Sequence, residues 1–171
     1  MNGAELRNVN AATVAEWVRE VVQVESPVHF DEVVRRIREA AGQASAREAT
    51  RDAVWRGVRR VITKGQVLYD GPDSPFLWRN PRHDPLVRDR SAFPIHFRTL
   101  ATIHPTELKA SILQAVRLSY GLRPEEVPSD ALKSLGFERP TDQLRDIMNA
   151  YVRGLLDTGE LILRGDMLKI A

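Results

Sequence analysis

The chain has 171 residues, with 25 Lys and Arg against 23 Asp and Glu, a formal net charge of +2 and no cysteine. That length accommodates one domain or two small ones, and the lack of thiols excludes disulfides, thiol catalysis and thiolate metal sites. No apolar run approaches the roughly 18 residues of a membrane span, and the N-terminus lacks a signal-peptide pattern, so a soluble, cytoplasmic protein without a membrane partner is expected.

Residues 1–13 carry little pattern and read as a flexible lead. Thr13 and Glu16 form a capping box that opens a first helix, in which Val14, Trp17, Val18, Val21 and Val22 make an apolar stripe. Ser26-Pro27 breaks it. Asp31 to Ala41 reads as a second helix, with Val33, Val34, Ile37 and Ala41 on one side and Gly42 as its stop. A second capping box, Ser45 with Glu48, opens a third helix that sets Val54, Val58, Val61 and Ile62 against a basic side of Arg56, Arg59, Arg60 and Thr63. Lys64-Gly65 ends this helix. Val67 to Tyr69 and Phe76 to Trp78 have strand composition around a turn-rich tip, Asp70 to Pro75. Three helices followed by a hairpin make residues 14–78 a winged-helix domain.

The next stretch, Arg79 to Pro105, holds four prolines and cannot be one long helix. Phe93, Ile95, Phe97, Leu100 and Ile103 need a surface to cover, so 79–105 is expected to be an ordered connector running along both domains. It is also basic, with five Arg against two Asp, whereas residues 14–78 carry ten Lys and Arg against ten Asp and Glu.

From Thr106 the first pattern returns. Leu108, Ile112, Leu113 and Val116 form a stripe, Pro128 shortens or starts the next helix, and Thr141 opens a third helix with Leu144, Met148, Val152, Leu155 and Leu156 as its core side. A hairpin from Leu161 to Ile170 closes the chain around a tight Arg164-Gly165-Asp166 turn. A shift of 94 residues lays Val14–Gly71 over Leu108–Gly165 without a gap, with 10 identities in 58 positions. Gly42, Gly65 and Gly71 fall on Gly136, Gly159 and Gly165, and turn glycines coincide only where the backbone path repeats. The fold class expected is mainly α with short β-hairpins, a tandem winged-helix (helix-turn-helix) repeat over 14–78 and 106–171.

Chemistry is sparse. His29, His83, His96 and His104 lack metal-ligand spacing, and there is no phosphate-cradling glycine loop and no nucleophile elbow. His83-Asp84 sits in a proline-rich stretch with no nucleophile, and Asp52 and Asp146 are repeat copies of each other. No enzyme activity, cofactor, metal or small-molecule substrate is expected. Trp17 and Trp78 read as core, while Trp55 lies at the edge of its helix's stripe, where a partner could reach it. Arg51 and Arg145 fall near the apolar side of their helices, and Glu32 and Glu126 are the expected partners in partly buried ion pairs.

Residues VQVESPVHFDEVVRRIREAAG from Val22, FLW from Phe76 and VRDRS from Val87 resemble a bacterial C-terminal domain of unknown function. In that family the region ends large superfamily 1 DNA helicase-like proteins, which often also carry a restriction-endonuclease-like nuclease domain. The resemblance covers about residues 14 to 171 and implies helicase or nuclease neighbours; the chain has no ATP-binding motif of its own. With the basic third helix, this makes a non-enzymatic DNA-binding accessory module the leading expectation, with duplex DNA or a junction as partner. Arg56, Arg59, Arg60 and Lys64 would contact nucleic acid from the first domain, and Arg79, Arg82, Arg88 and Arg90 from the connector. The alternative is a winged-helix scaffold for protein partners, because Asp142, Asp146 and Asp157 give the second domain's third helix an acidic side.

Overall fold

A computed structural model of the chain describes residues 6–42 and 48–171. The protein is mainly helical with two small antiparallel sheets, and it divides into two compact units, Met1–His83 and Asp84–Ala171. The stretch expected as a separate connector is therefore shared out: 79–83 belong to the first unit and 84–105 to the second.

The first unit contains α1 (Ala11–Glu25), β1 (Val28–His29), α2 (Phe30–Ala40), α3 (Glu48–Thr63), β2 (Val67–Tyr69) and β3 (Phe76–Arg79). α1 starts two residues before Thr13, because the Asn10 side chain accepts the Ala12 N–H at 2.8 Å and caps it. Thr13 is thus inside the helix, and Glu16 pairs with Arg19 instead. α2 is capped by His29, whose Nδ1 accepts the Asp31 N–H at 3.2 Å. The capping box assigned to Ser45 lies outside the described residues.

α3 ends in a Schellman motif. The Gln66 N–H donates to the Val61 carbonyl and the Gly65 N–H to that of Ile62, with Gly65 at φ 65°. β3 lies between β1 and β2, so a strand unforeseen in the sequence, β1, completes a three-stranded sheet. The core gathers Val14, Val18 and Val22 of α1, Val33 and Ile37 of α2, and Val54, Val58 and Val61 of α3, closed by Val67 and Leu77.

The second unit follows the same order: α4 (Pro105–Leu118), α5 (Val127–Ser134), α6 (Asp142–Asp157), β4 (Leu161–Arg164) and β5 (Met167–Ile170). α4, α6 and β4 each begin 94 residues after α1, α3 and β2, and α3 and α6 have the same length. The Schellman bonds recur as Glu160 N–H to the Leu155 carbonyl and Gly159 N–H to that of Leu156. Even β1 has a counterpart, since Leu122, 94 residues after Val28, forms an isolated bridge to Leu168 of β5. Thr141 caps α6 as expected, its Oγ1 accepting the Leu144 N–H at 3.3 Å. His104 caps α4 in the manner of His29. Leu156, assigned to the core side of α6, is instead 36% exposed.

Before α4, residues 84–104 run without a long element, and Pro85 and Pro94 interrupt any helix there. Ile103 is buried and Leu100 and Val87 pack on the second core, but Ile95 is 77% exposed and covers nothing. Pro94 directs it into a short 3-10 turn, Ile95–Phe97, one side of which faces water. Gly136, at φ 93°, accepts the segment's close approach: a Cβ there would lie 2.4 Å from the Ser91 N and 2.7 Å from Arg90 backbone atoms. Its counterpart Gly42, at φ 70°, would meet nothing within 4 Å.

This pair separates backbone strain from steric conflict. Gly42→Ala should cost only the left-handed conformation, about 1 to 2 kcal/mol, whereas Gly136→Ala should cost clearly more because backbone must also move, as chemical denaturation of the two variants will show. A second expectation concerns pH. Burial holds the His29 imidazole below its ordinary pKa of 6.5, outweighing Asp31 and, more weakly, Glu32, which raise it, while Arg51 lowers it further. The folded state therefore prefers the neutral ring, and this stabilisation is present above the unfolded value and lost as pH falls through it. Between about pH 7.5 and about pH 5.5 the wild type should lose more stability in urea titrations than His29→Asn, which keeps a capping side chain.

Candidate nucleic-acid interface

α3 buries Thr50, Ala53, Val54, Gly57, Val58 and Val61. That choice of inner edge forces Arg56, Arg59, Arg60, Thr63 and Lys64 outward, where all are exposed and line one shallow depression. Among the described residues no carboxylate pairs with these four cations, and the Thr63 hydroxyl donates to the Arg59 carbonyl at 2.9 Å. Four positive charges thus share one face with no carboxylate among the described residues to neutralise them. Asn80 fixes the neighbouring chain to the helix end, its Nδ2 donating to the Gly65 carbonyl at 2.8 Å.

The other four arginines are placed differently. Arg79 donates from Nε to His83 Nδ1 at 2.7 Å and is partly buried at the base of the hairpin. Arg82 forms a short ion pair with Asp70 and lays its guanidinium 4.8 Å from the Trp78 ring centre, while the Trp78 Nε1 donates to the other Asp70 oxygen at 2.9 Å. Its charge is therefore already matched. Arg88 and Arg90 belong to the second unit, and for them the expectation of phosphate contacts fails. Arg90 is 2% exposed and forms a two-pronged pair with the fully buried Glu107, at 2.8 and 2.7 Å. Arg88 is 19% exposed, 3.7 Å from the same carboxylate, and its backbone N–H donates to it at 3.0 Å. These two cations are turned inward by an acid that the sequence places 17 and 19 residues away.

The matched arginines also find other partners than expected. Arg51 pairs with Asp31 at 2.6 Å and lies over the Phe30 ring, and Arg145 pairs with Asp142 of its own helix at 2.7 Å and donates to the Pro140 carbonyl. Glu32 is occupied by Arg35, three residues on, with both side chains 6% exposed. Glu126 accepts the Arg123 N–H instead. For Glu32 and Arg145 a partner three residues away on the same helix holds the charge at less conformational cost than one on another element, whereas Arg51 reaches across from α3 to Asp31 of α2.

On α6 the positions equivalent to Arg56, Arg60 and Lys64 are Ala150, Gly154 and Thr158, and only Arg153 repeats the basic face, among the exposed Asp142, Asp146 and Asp157. Sequence reasoning missed an aromatic group beside the basic face of α3. Trp55 meets Phe30 and Tyr69 edge-on, with ring centres 5.4 and 5.3 Å apart. Among the described residues no three His, Asp or Glu are placed to hold a metal ion, and no helix is long and apolar enough to cross a membrane.

A family model described as "Protein of unknown function (DUF3320)" matches residues 5–46, the stretch that holds α1, β1 and α2. No curated protein and no solved structure matches the chain.

The Arg90–Glu107 pair yields a stability prediction. Arg90→Ala leaves a buried carboxylate without its cation and should cost about 3 to 5 kcal/mol, measured by denaturant unfolding, while Arg82→Ala, at an exposed pair, should cost about 1 kcal/mol or less.

Proposed function

We propose that the protein is a non-enzymatic nucleic-acid-binding module of tandem winged-helix type, acting in the cytoplasm on duplex DNA or a DNA junction beside helicase or nuclease domains. The observation that carries this reading is the outward face of α3, where Arg56, Arg59, Arg60 and Lys64 stand together with no carboxylate partner among the described residues. A helix bearing such a face ahead of a hairpin can lie along a groove with its cations on phosphates and the hairpin on the flanking backbone. The succession of three helices and a hairpin in each unit supports the winged-helix reading. The helicase and nuclease setting rests on the resemblance of the VQVESPVHFDEVVRRI, FLW and VRDRS runs.

A second reading, a scaffold for protein partners, draws on α6. Its exposed Asp142, Asp146 and Asp157 would repel phosphate, so the second unit is suited to another task even when the first binds DNA.

Phosphate contacts release counterions, and about four of them on duplex DNA give a slope of log affinity against log salt of about −4. Anisotropy titrations should return that slope for the wild type. Reversing Arg56 and Arg60 to Glu should weaken binding strongly and flatten the slope, while Arg153→Glu should change little. Absence of binding to duplex, forked and single-stranded DNA at about 50 mM salt would remove the nucleic-acid reading in favour of the scaffold.

A further inference from the structure

The repeat supplies an internal control for the aromatic group of the first unit. Phe30, Trp55 and Tyr69 form a chain of edge-on contacts, and each ring is only partly buried at the margin of the core. The equivalent positions in the second unit are Pro124, Asn149 and Leu163, with Leu163 57% exposed. The same succession of helices and hairpin is thus built there with no ring at any of the three places. Packing alone does not require these aromatics.

They are found where the cations are. Trp55 and Arg59 stand one turn apart on α3, about 40° apart around the helix at 100° per residue. Tyr69 ends β2 immediately before the hairpin tip. Aromatic ledge and unpaired basic face occur together in the first unit and are absent together from the second, where Asn149 accompanies Ala150 and Gly154. A base offers a π-face whatever its identity, and stacking on a side-chain ring beside a cationic track is how unpaired nucleotides are held without sequence preference.

We infer that the first unit takes nucleic acid with unpaired bases, stacking a base on the Trp55–Tyr69 ledge while Arg59 and its neighbours hold the phosphates. This rests on the nucleic-acid reading above and narrows it. The preferred ligand is a duplex carrying a single-stranded extension: the paired part lies on the Arg56 and Arg60 side of α3 and the unpaired part crosses the ledge. Blunt duplex engages the cations alone.

Three DNA probes test this by anisotropy with the full chain: a blunt duplex, the same duplex with a thymidine overhang, and a thymidine oligonucleotide about 16 nucleotides long. Trp55→Leu should weaken the overhang and single-strand probes about ten-fold or more and change the blunt duplex less than about two-fold. Thymidine oligonucleotide should also quench the tryptophan emission of the wild type and not that of Trp55→Leu. Should Trp55→Leu fail to fold, Tyr69→Leu, which copies Leu163 of the second unit, carries the same comparison. Equal weakening on all three probes, or unchanged affinity for the single-strand probe, overturns the ledge and leaves duplex binding standing. Binding to none of the probes overturns both readings.

Discussion

The close approach of α1 and α3 fixes what the first unit can present to its surroundings. Gly57 lies where the two helices meet, and a Cβ on it would stand 2.9 Å from Val14 Cγ1 and 3.1 Å from the Ala15 backbone N. α1 can therefore rest on the α3 backbone itself, and the buried edge of α3 runs through Val54, Gly57, Val58 and Val61. Once that edge is set, helical geometry leaves Arg56, Arg59 and Arg60 no direction but outward. The second unit has Tyr151 at the equivalent position, so its helices meet through side chains instead, with Met148 and Leu155 fully buried. Two units with one succession of elements thus differ in how tightly they are assembled.

Much of the fold was legible because it depends on short-range signals. The Thr141 cap, the positive-φ glycines and the valine stripes each act within a few residues, and the 94-residue shift read from them returns in the starts of α4, α6 and β4. What escaped was less local. β1 is two residues long, shorter than any periodicity can register, and exists because β3 offers it a partner, Val28 pairing with Leu77 and His29 with Phe76 far along the chain. The Thr13 capping box lost to Asn10 because both side chains can cap a helix and the sequence alone does not rank them.

The charged residues divide along the same line. Those on α3 could be assigned from helical phase, since exposure there follows from which edge is buried. Arg88 and Arg90 could not, because their direction is set by Glu107, an acid in the first turn of α4 with 0% exposure. Nothing in a run of Arg, Asp and Arg distinguishes a solvated face from a strap pinned to a buried carboxylate. Phe30 and Tyr69 likewise joined Trp55 only through tertiary contact, although their replacement by Pro124 and Leu163 in the repeat was a visible hint.

The inward turn of Arg90 also decides where the second unit can be cut from the chain. A fragment starting at Pro105 would keep every α-helix and both strands of that unit, and by those boundaries alone it would count as complete. It would nevertheless strip the Glu107 carboxylate of the Arg88 and Arg90 contacts that cover and neutralise it, and uncover the Leu135 carbonyl, which accepts the Arg90 N–H at 3.2 Å. The compact unit begins at Asp84, upstream of any regular secondary structure it contains, so a cut meant to preserve the Arg90–Glu107 closure belongs there and not at the first α-helix.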